Sequence, residues 1–237
     1  MLLLGIDTSG KTASAALFDT DTEIILASSV LYTQKTHSQV IMPMVKSVIG
    51  QTGHTFGDID VFAAAAGPGS YTGLRIGAAA VKAMAFALDC KCCGVSTLSA
   101  LAYSNIAYQG TICSVMRARA DLVYAGIYKS DGYALTPLYE SDNERLCSRD
   151  ELAQLLAFNG EKTLLCGDGA ADMFTDYRSP MLFIAPPHGR LQNAAGVCLA
   201  AAAAGQSGYI SPDELEVMYL QQVKAEKDLE DKMKKPE

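Results

Sequence analysis

Eight residues near the start, Gly5-Ile6-Asp7-Thr8-Ser9-Gly10-Lys11-Thr12, match the phosphate-binding pattern Gly-x-x-x-x-Gly-Lys-[Ser/Thr] letter for letter. That pattern works through a strand, a loop and then a helix whose first amides face the phosphates. Here the apolar run Ala13 to Phe18 is stopped at once by Asp19-Thr20-Asp21-Thr22. No helix fits, so Lys11 is expected in a hairpin turn. A second stretch, Gly67-Pro68-Gly69-Ser70-Tyr71-Thr72-Gly73-Leu74-Arg75-Ile76-Gly77, joins the apolar run Val61 to Ala66 to the apolar segment Ala78 to Leu88. Loops between a strand and a helix are where α/β proteins touch ligands and partners. Its spacing departs from the dinucleotide fingerprint Gly-x-Gly-x-x-Gly. The stretch therefore reads either as a tight turn without a ligand or as a contact loop. Thr72 is placed to cap the helix, with Arg75 projecting from its first turn.

Other chemistries lack their parts. His37, His54 and His188 form no pair at metal-ligating spacing, and Cys90, Cys92 and Cys93 make a Cys-x-Cys-Cys run that is no zinc spacing. No metal and no cofactor is expected. There is no Gly-x-Ser-x-Gly elbow to carry a serine nucleophile, and no catalytic residue is assigned. Arg117 and Arg119 flank Ala118 on an expected strand, so both face one side, suited to a phosphate, a partner's carboxylate or water. Cys166-Gly167-Asp168-Gly169 is a weak counterpart of a second phosphate loop.

The elements that must position these residues follow from periodicity. Leu2 to Thr8, Ala13 to Phe18 and Glu23 to Tyr32 read as three strands joined by short turns. Gln39 to Ile49 repeats apolar residues at helical spacing and ends at Gly53. Strand Val61 to Ala66, helix Ala78 to Leu88, strand Lys91 to Val95 and helix Thr97 to Ala107 follow. This β-β-β-α-β-α-β-α order is the ribonuclease-H-like pattern of actin-like ATPases; a Rossmann unit would alternate from the start. In actin-like ATPases the turn after the first strand offers its amides to phosphate and an acid ending that strand helps hold Mg²⁺. Asp7, Thr8, Ser9 and Lys11 occupy that place as a nucleotide-binding candidate; equally, Asp7 can simply hydrogen-bond the turn. A second block holds strands Thr111 to Val115, Leu122 to Lys129 and Tyr133 to Leu138, helix Arg149 to Phe158, strand Lys162 to Cys166 and helix Asn193 to Ala204. The expected division is a lobe over 1–108, a second over 109–223, and a charged, partly disordered tail over 224–237.

With 49% apolar and 19% charged residues the chain has a globular profile, and its net charge of −7 argues against holding RNA or DNA unaided. Seven scattered cysteines read as reduced, mostly buried thiols. No apolar run approaches the roughly 20 residues that span a bilayer, so a cytoplasmic protein is expected. The helix around Ala79, Lys82, Ala83 and Phe86 is apolar nearly all round, and the helix carrying Ile41, Met44 and Val45 is similarly greasy. Both read either as core or as a subunit interface.

The segments Leu4 to Ser9, His37 followed by Met42-Pro43-Met44, Gly67 to Gly77, Gly94 to Leu98, and Val123-Tyr124 together resemble the TsaB (YeaZ-type) family. The resemblance implies an α/β actin-like (ASKHA) fold of two ribonuclease-H-like lobes, with mixed sheets flanked by helices. It implies a non-catalytic subunit in the formation of N6-threonylcarbamoyladenosine at adenosine 37 of tRNA. Such a subunit would dock on a TsaD-type transferase and act with a TsaE-type ATPase; the acidic chain would meet tRNA only through the complex, and the apolar surface of the two helices is expected to make a homodimer when the chain is alone. The positions of the transferase's two metal-binding histidines look like Thr97 and Leu101 here. The implied interface comprises His37, Ile41, Met44, Val45 and Val48 on one helix. On the other it comprises Tyr71, Leu74, Arg75, Ile76, Ala79, Lys82, Ala83 and Phe86. The chain has Arg117-Ala118-Arg119 where most relatives have Asp-Ala-Arg, and Tyr219-Leu220-Gln221 where Tyr-Leu-Arg is usual. The runner-up reading is an ATP-binding phosphotransferase or ATPase of the actin-like superfamily.

Overall fold

The computed structural model describes residues 1–33 and 35–220. Gln221 and the expected tail over 224–237 lie outside the described residues. The first sheet is built from β1 (Leu2–Asp7), β2 (Thr12–Asp19), β3 (Ile24–Tyr32), β4 (Val61–Gly67) and β5 (Lys91–Ser96), in the order β3-β2-β1-β4-β5. The hairpins β1–β2 and β2–β3 are antiparallel, whereas β1, β4 and β5 run parallel. β4 is buried at all seven positions, as a strand with helices on both faces must be.

Helices α1 (His37–Gln51) and α2 (Tyr71–Leu88) cover one face of this sheet, where Ile41, Val45, Val48, Val81 and Ala85 close a core with Leu4, Ile6, Leu17 and Phe62. The second sheet repeats the plan. It contains β6 (Gly110–Arg117), β7 (Leu122–Ser130), β8 (Leu135–Pro137), β9 (Glu144–Ser148), β10 (Thr163–Cys166) and β11 (Leu182–Ile184). Its order is β11-β10-β6-β7-β8, with β9 also pairing β7. Again an antiparallel start (β6, β7) is followed by parallel strands (β6, β10, β11). On its outer face pack α4 (Arg149–Asn159) and α5 (Ala170–Asp176).

Two helices lie between the sheets. Leu98 and Leu101 of α3 (Thr97–Tyr103) close the inner core of the second sheet, while Val197, Cys198 and Ala201 of α7 (Ala194–Ala204) pack on the first. A one-turn helix α6 (Pro187–Arg190) leads into α7. After α7 the chain stays on the first sheet. Ile210 pairs with Cys92, Leu215 is buried in the core under α2, and the Met218 amide donates to the Ala66 carbonyl at 2.7 Å.

Several expectations are corrected. α2 begins at Tyr71, not near Ala78, and its cap is Ser70, whose Oγ accepts from the Gly73 amide, so Thr72 sits inside the first turn. α3 stops at Tyr103. β9, α5, β11 and α6 have no counterpart in the sequence reading; each is seven residues or shorter, which is too short for a period to register. Arg119 lies beyond the end of β6, in the turn to β7, so it does not share a strand face with Arg117. All seven cysteines are free thiols, six buried and Cys90 half-buried. Burial pushes the Cys93 thiol up to about 11, which makes it unreactive.

Candidate functional site

Three places bring the expected site residues together. The first is the turn that follows β1. Asp7 pairs with Ser14 across the β1–β2 hairpin, and Lys11 sits exposed at its tip, with no helix behind it. Asp7 Oδ1 accepts from the Ser9 amide at 2.8 Å and from Ser9 Oγ at 2.6 Å. Asp7 is only 1% exposed, and its second oxygen has no partner among the described residues. Burial pushes its carboxyl up to about 6, against the two Ser9 hydrogen bonds that favour the charged form.

This carries a pH signature. The folded value lies above the unfolded 3.8, so the group's contribution to stability is greatest below that value and is lost as the pH rises through about 6. Asp7→Asn keeps the acceptor for Ser9 and removes the ionisation. We expect it to raise stability at pH 7.5 by about 1–2 kcal/mol. Melting curves across pH 4–8 should show the advantage over the parent shrinking toward pH 4; a variant less stable at pH 7.5 contradicts this.

The glycine-rich stretch packs against that same turn. A Cβ on Gly73 would lie 2.0 Å from the Thr8 carbonyl oxygen, one on Gly69 2.6 Å from that of Ser9, and one on Gly67 2.1 Å from that of Met218. Thr8 Oγ1 also donates to the Gly73 carbonyl at 2.7 Å, and the Ser70 amide donates to Ser9. Gly67 further holds φ at +134°, a conformation that only glycine adopts readily. The space a side chain on these glycines would need is thus filled by the chain's own backbone.

The second place is a cleft between the lobes. A cavity of about 440 Å³ is lined by Ser9, Gly10, Lys11, Gly69 and Ser70 on one side and by Met116 to Arg119, Tyr124 and Asp168 on the other. Arg117 is held by a two-pronged ion pair to Asp172, at 2.7 and 2.8 Å. Asp168 accepts from the Arg117 amide at 3.0 Å, and burial pushes its carboxyl up. In the expected second phosphate loop the Gly167 amide donates to Arg190 and the Gly169 amide to Val115. Those amides are therefore not free for phosphate. Among the described residues no three His, Cys, Asp or Glu side chains come together to hold a metal.

The third place is the outer surface of α1 and α2. Of the expected contact residues, Ile41, Met44, Val45, Val48 and Leu74 are buried within the chain's own core. This is a correction with a simple cause: they form the apolar stripe that must cover the sheet. Tyr71, Arg75, Ala79 and Ala83 remain exposed, Ile76, Lys82 and His37 are half-buried, and Phe86 is 75% exposed. The sequence reading missed how the chain's C-terminal segment completes this face. Tyr219 stacks on Tyr71 with ring centroids 5.3 Å apart; the Arg75 guanidinium lies 4.0 Å above the Tyr71 ring, and its Nε donates to the Tyr219 hydroxyl at 3.2 Å. Lys82 reaches toward the Asp213 carbonyl at 3.5 Å. Only the Tyr219-Leu220-Gln221 ending hinted at this, because nothing local ties residue 219 to residue 71.

Two lobes with one shared strand order and two helices between them define the actin-like α/β class. The family described as "TsaD: tRNA N6-adenosine threonylcarbamoyltransferase" matches residues 26–163, more than half of the chain. The Bacillus subtilis (strain 168) tRNA threonylcarbamoyladenosine biosynthesis protein TsaB is 36% identical over 62% of this chain and 63% of its own length, just under two thirds. The protein of that name from Haemophilus influenzae is 26% identical over 74% of this chain and 76% of its own. The structure of YeaZ from Pseudomonas aeruginosa superposes with a TM-score of 0.78 over 92% of this chain and 99% of that one, at 23% identity, which speaks to the fold alone. This chain belongs to that family and stands in it with the TsaB (YeaZ-type) proteins. No helix among the described residues is long and apolar enough to cross a membrane.

Proposed function

We propose that this chain is a non-catalytic docking and activating subunit in the formation of N6-threonylcarbamoyladenosine at adenosine 37 of tRNA. It would bind a TsaD-type transferase, act with a TsaE-type ATPase in the cytoplasm, and reach tRNA only through the complex. The observation that carries this reading is the open face of α2. Ala79, Ala83 and the largely exposed Phe86 form an apolar strip on a helix that contains no acidic residue. Soluble chains seldom leave such a strip uncovered, and small residues allow a partner helix to approach closely. The same strip would join two copies when the chain is alone.

The chemistry of the interior supports a non-catalytic role. Thr97 and Leu101 stand where the resemblance sets the transferase's histidines, and both are buried in α3. Neither supplies an imidazole, so the transfer step would belong to the partner. Co-expression with the TsaD-type subunit of the same cell, followed by size-exclusion chromatography, tests the reading. A stable complex is expected at about 1 μM, roughly −8 kcal/mol of binding, with no threonylcarbamoyl transfer by this chain alone. Separate elution at about 50 μM, or turnover without the partner, would overturn it.

A further inference from the structure

The outer helices differ in charge from the chain that carries them. The chain has 26 Asp and Glu against 19 Lys and Arg, yet neither α1 nor α2 contains an acidic residue. The exposed stripe of α2 runs through Tyr71, Arg75, Ala79, Ala83 and Phe86, and Arg75 is the single charge among them. Lys82 stands half-buried beside the stripe, turned to the Asp213 carbonyl.

Arg75 is held in place without being neutralised. Its guanidinium lies 4.0 Å from the centre of the Tyr71 ring, and its Nε donates to the Tyr219 hydroxyl at 3.2 Å. Its two terminal nitrogens make no hydrogen bond, and it forms no ion pair, among the described residues. The C-terminal segment packed on α2 carries Asp213, Glu214 and Glu216. The Glu214 carboxylate accepts from Ser211, and none of the three pairs with Arg75 or Lys82.

We propose that Arg75 selects the partner of the α2 face: it fits a helix surface that sets a carboxylate among apolar residues, and it disfavours a second copy of this chain. This rests on the reading of that face as the docking surface. A helix laid on Ala79, Ala83 and Phe86 also covers Arg75, which stands one turn and about 6 Å from Ala79. A cation so covered loses its water, and an uncompensated charge under a docked helix is strongly unfavourable. A guanidinium already oriented by two tyrosines, with its outer nitrogens unused, suits a carboxylate gripped by two parallel hydrogen bonds. Arginine and tyrosine are also residue types on which docking energy concentrates. The helices of a second copy have no such group to offer. Pairing α1 and α2 with their own copies sets Arg75 against apolar side chains or another cation. The copy therefore docks weakly and the acidic partner tightly.

The test uses the full chain and compares two associations. Self-association is measured by sedimentation equilibrium, and complex formation with the TsaD-type subunit by calorimetry. Arg75→Gln removes the charge and keeps a polar stem; because Arg75 is exposed, the variant folds. It should weaken the complex by at least about tenfold, since the partner's carboxylate is left unpaired, and strengthen self-association by at least about threefold. Lys162→Gln, an exposed cation of the second lobe, should change neither. The parent complex should weaken as salt is raised. Opposite signs mark a selecting charge, whereas a residue that only supports the fold moves both associations the same way. The proposal is overturned if Arg75→Gln leaves the complex within about twofold of the parent, or if self-association does not strengthen. A parent that forms no complex at about 50 μM defeats the docking reading instead. Self-association then still decides Arg75: a gain in Arg75→Gln supports selection against a copy, and no gain overturns it.

Discussion

Gly73→Ala is expected to destabilise the chain by about 3 kcal/mol or more, against a usual total of roughly 5–15. On an open helix the same change would stabilise by up to about 1 kcal/mol, because alanine loses less backbone entropy. The sign is reversed by one contact. A Cβ at this position would lie 2.0 Å from the Thr8 carbonyl oxygen, and both groups are backbone, so neither can swing aside. The first turn of α2 would have to back away from the β1–β2 turn. That would also break the 2.7 Å hydrogen bond from Thr8 Oγ1 to Gly73, worth about 1 kcal/mol in a buried setting. For a domain of this size the loss corresponds to about 6–12 °C in melting temperature. Gly50→Ala is the control: it lies inside α1 with nothing within 4 Å of the added carbon, and it should raise stability by about 0.5–1 kcal/mol. Equal effects of the two substitutions would mean that α2 does not rest on the turn as described.

Ala79→Asp should abolish docking while leaving the chain folded. Ala79 is exposed on α2, so in the free chain an aspartate costs only its helix propensity, well under about 1 kcal/mol. In a complex the carboxylate would be trapped against an apolar helix. An unpaired buried charge costs about 2–5 kcal/mol, a loss of roughly 30- to several-thousand-fold in affinity. Val45→Glu looks equivalent in the sequence but is not. Val45 is wholly buried between α1 and the sheet, so that variant should unfold the lobe and say nothing about docking. Affinity measured with Ala79→Asp, next to a melting curve, separates the two cases. Docking that survives Ala79→Asp undiminished would remove the α2 face from the proposed interface.

The two substitutions mark how far local sequence reaches. The order of strands and helices in the first lobe was legible because each strand is a run of apolar residues and each long helix has a clear period. The second lobe was legible where that held, at β6, β7, α4 and β10. Short elements such as β9 and β11 escaped, since three to five residues carry no period. Ser70 and Thr72 are equally good caps by type, and only the Gly73 amide, turned toward Ser70, decides between them.

The glycines of the second helix entry could be read as a ligand loop or as a turn, and no local rule chooses. The choice is made by Thr8, Ser9 and Met218, which lie far away in the chain and bring their carbonyls to those α-carbons. Likewise, periodicity could declare both outer helices apolar but could not say which side faces the sheet. By itself the sequence determined the two-lobed α/β plan and the failure of the Gly5 to Thr12 pattern to lead into a helix, because these follow from residue type and spacing along the chain. Only the tertiary structure decided which apolar residues stay open, that Tyr219 stacks on Tyr71, and that Lys11 and Arg119 line one cleft. Those depend on contacts between residues distant in sequence, which backbone periodicity does not encode.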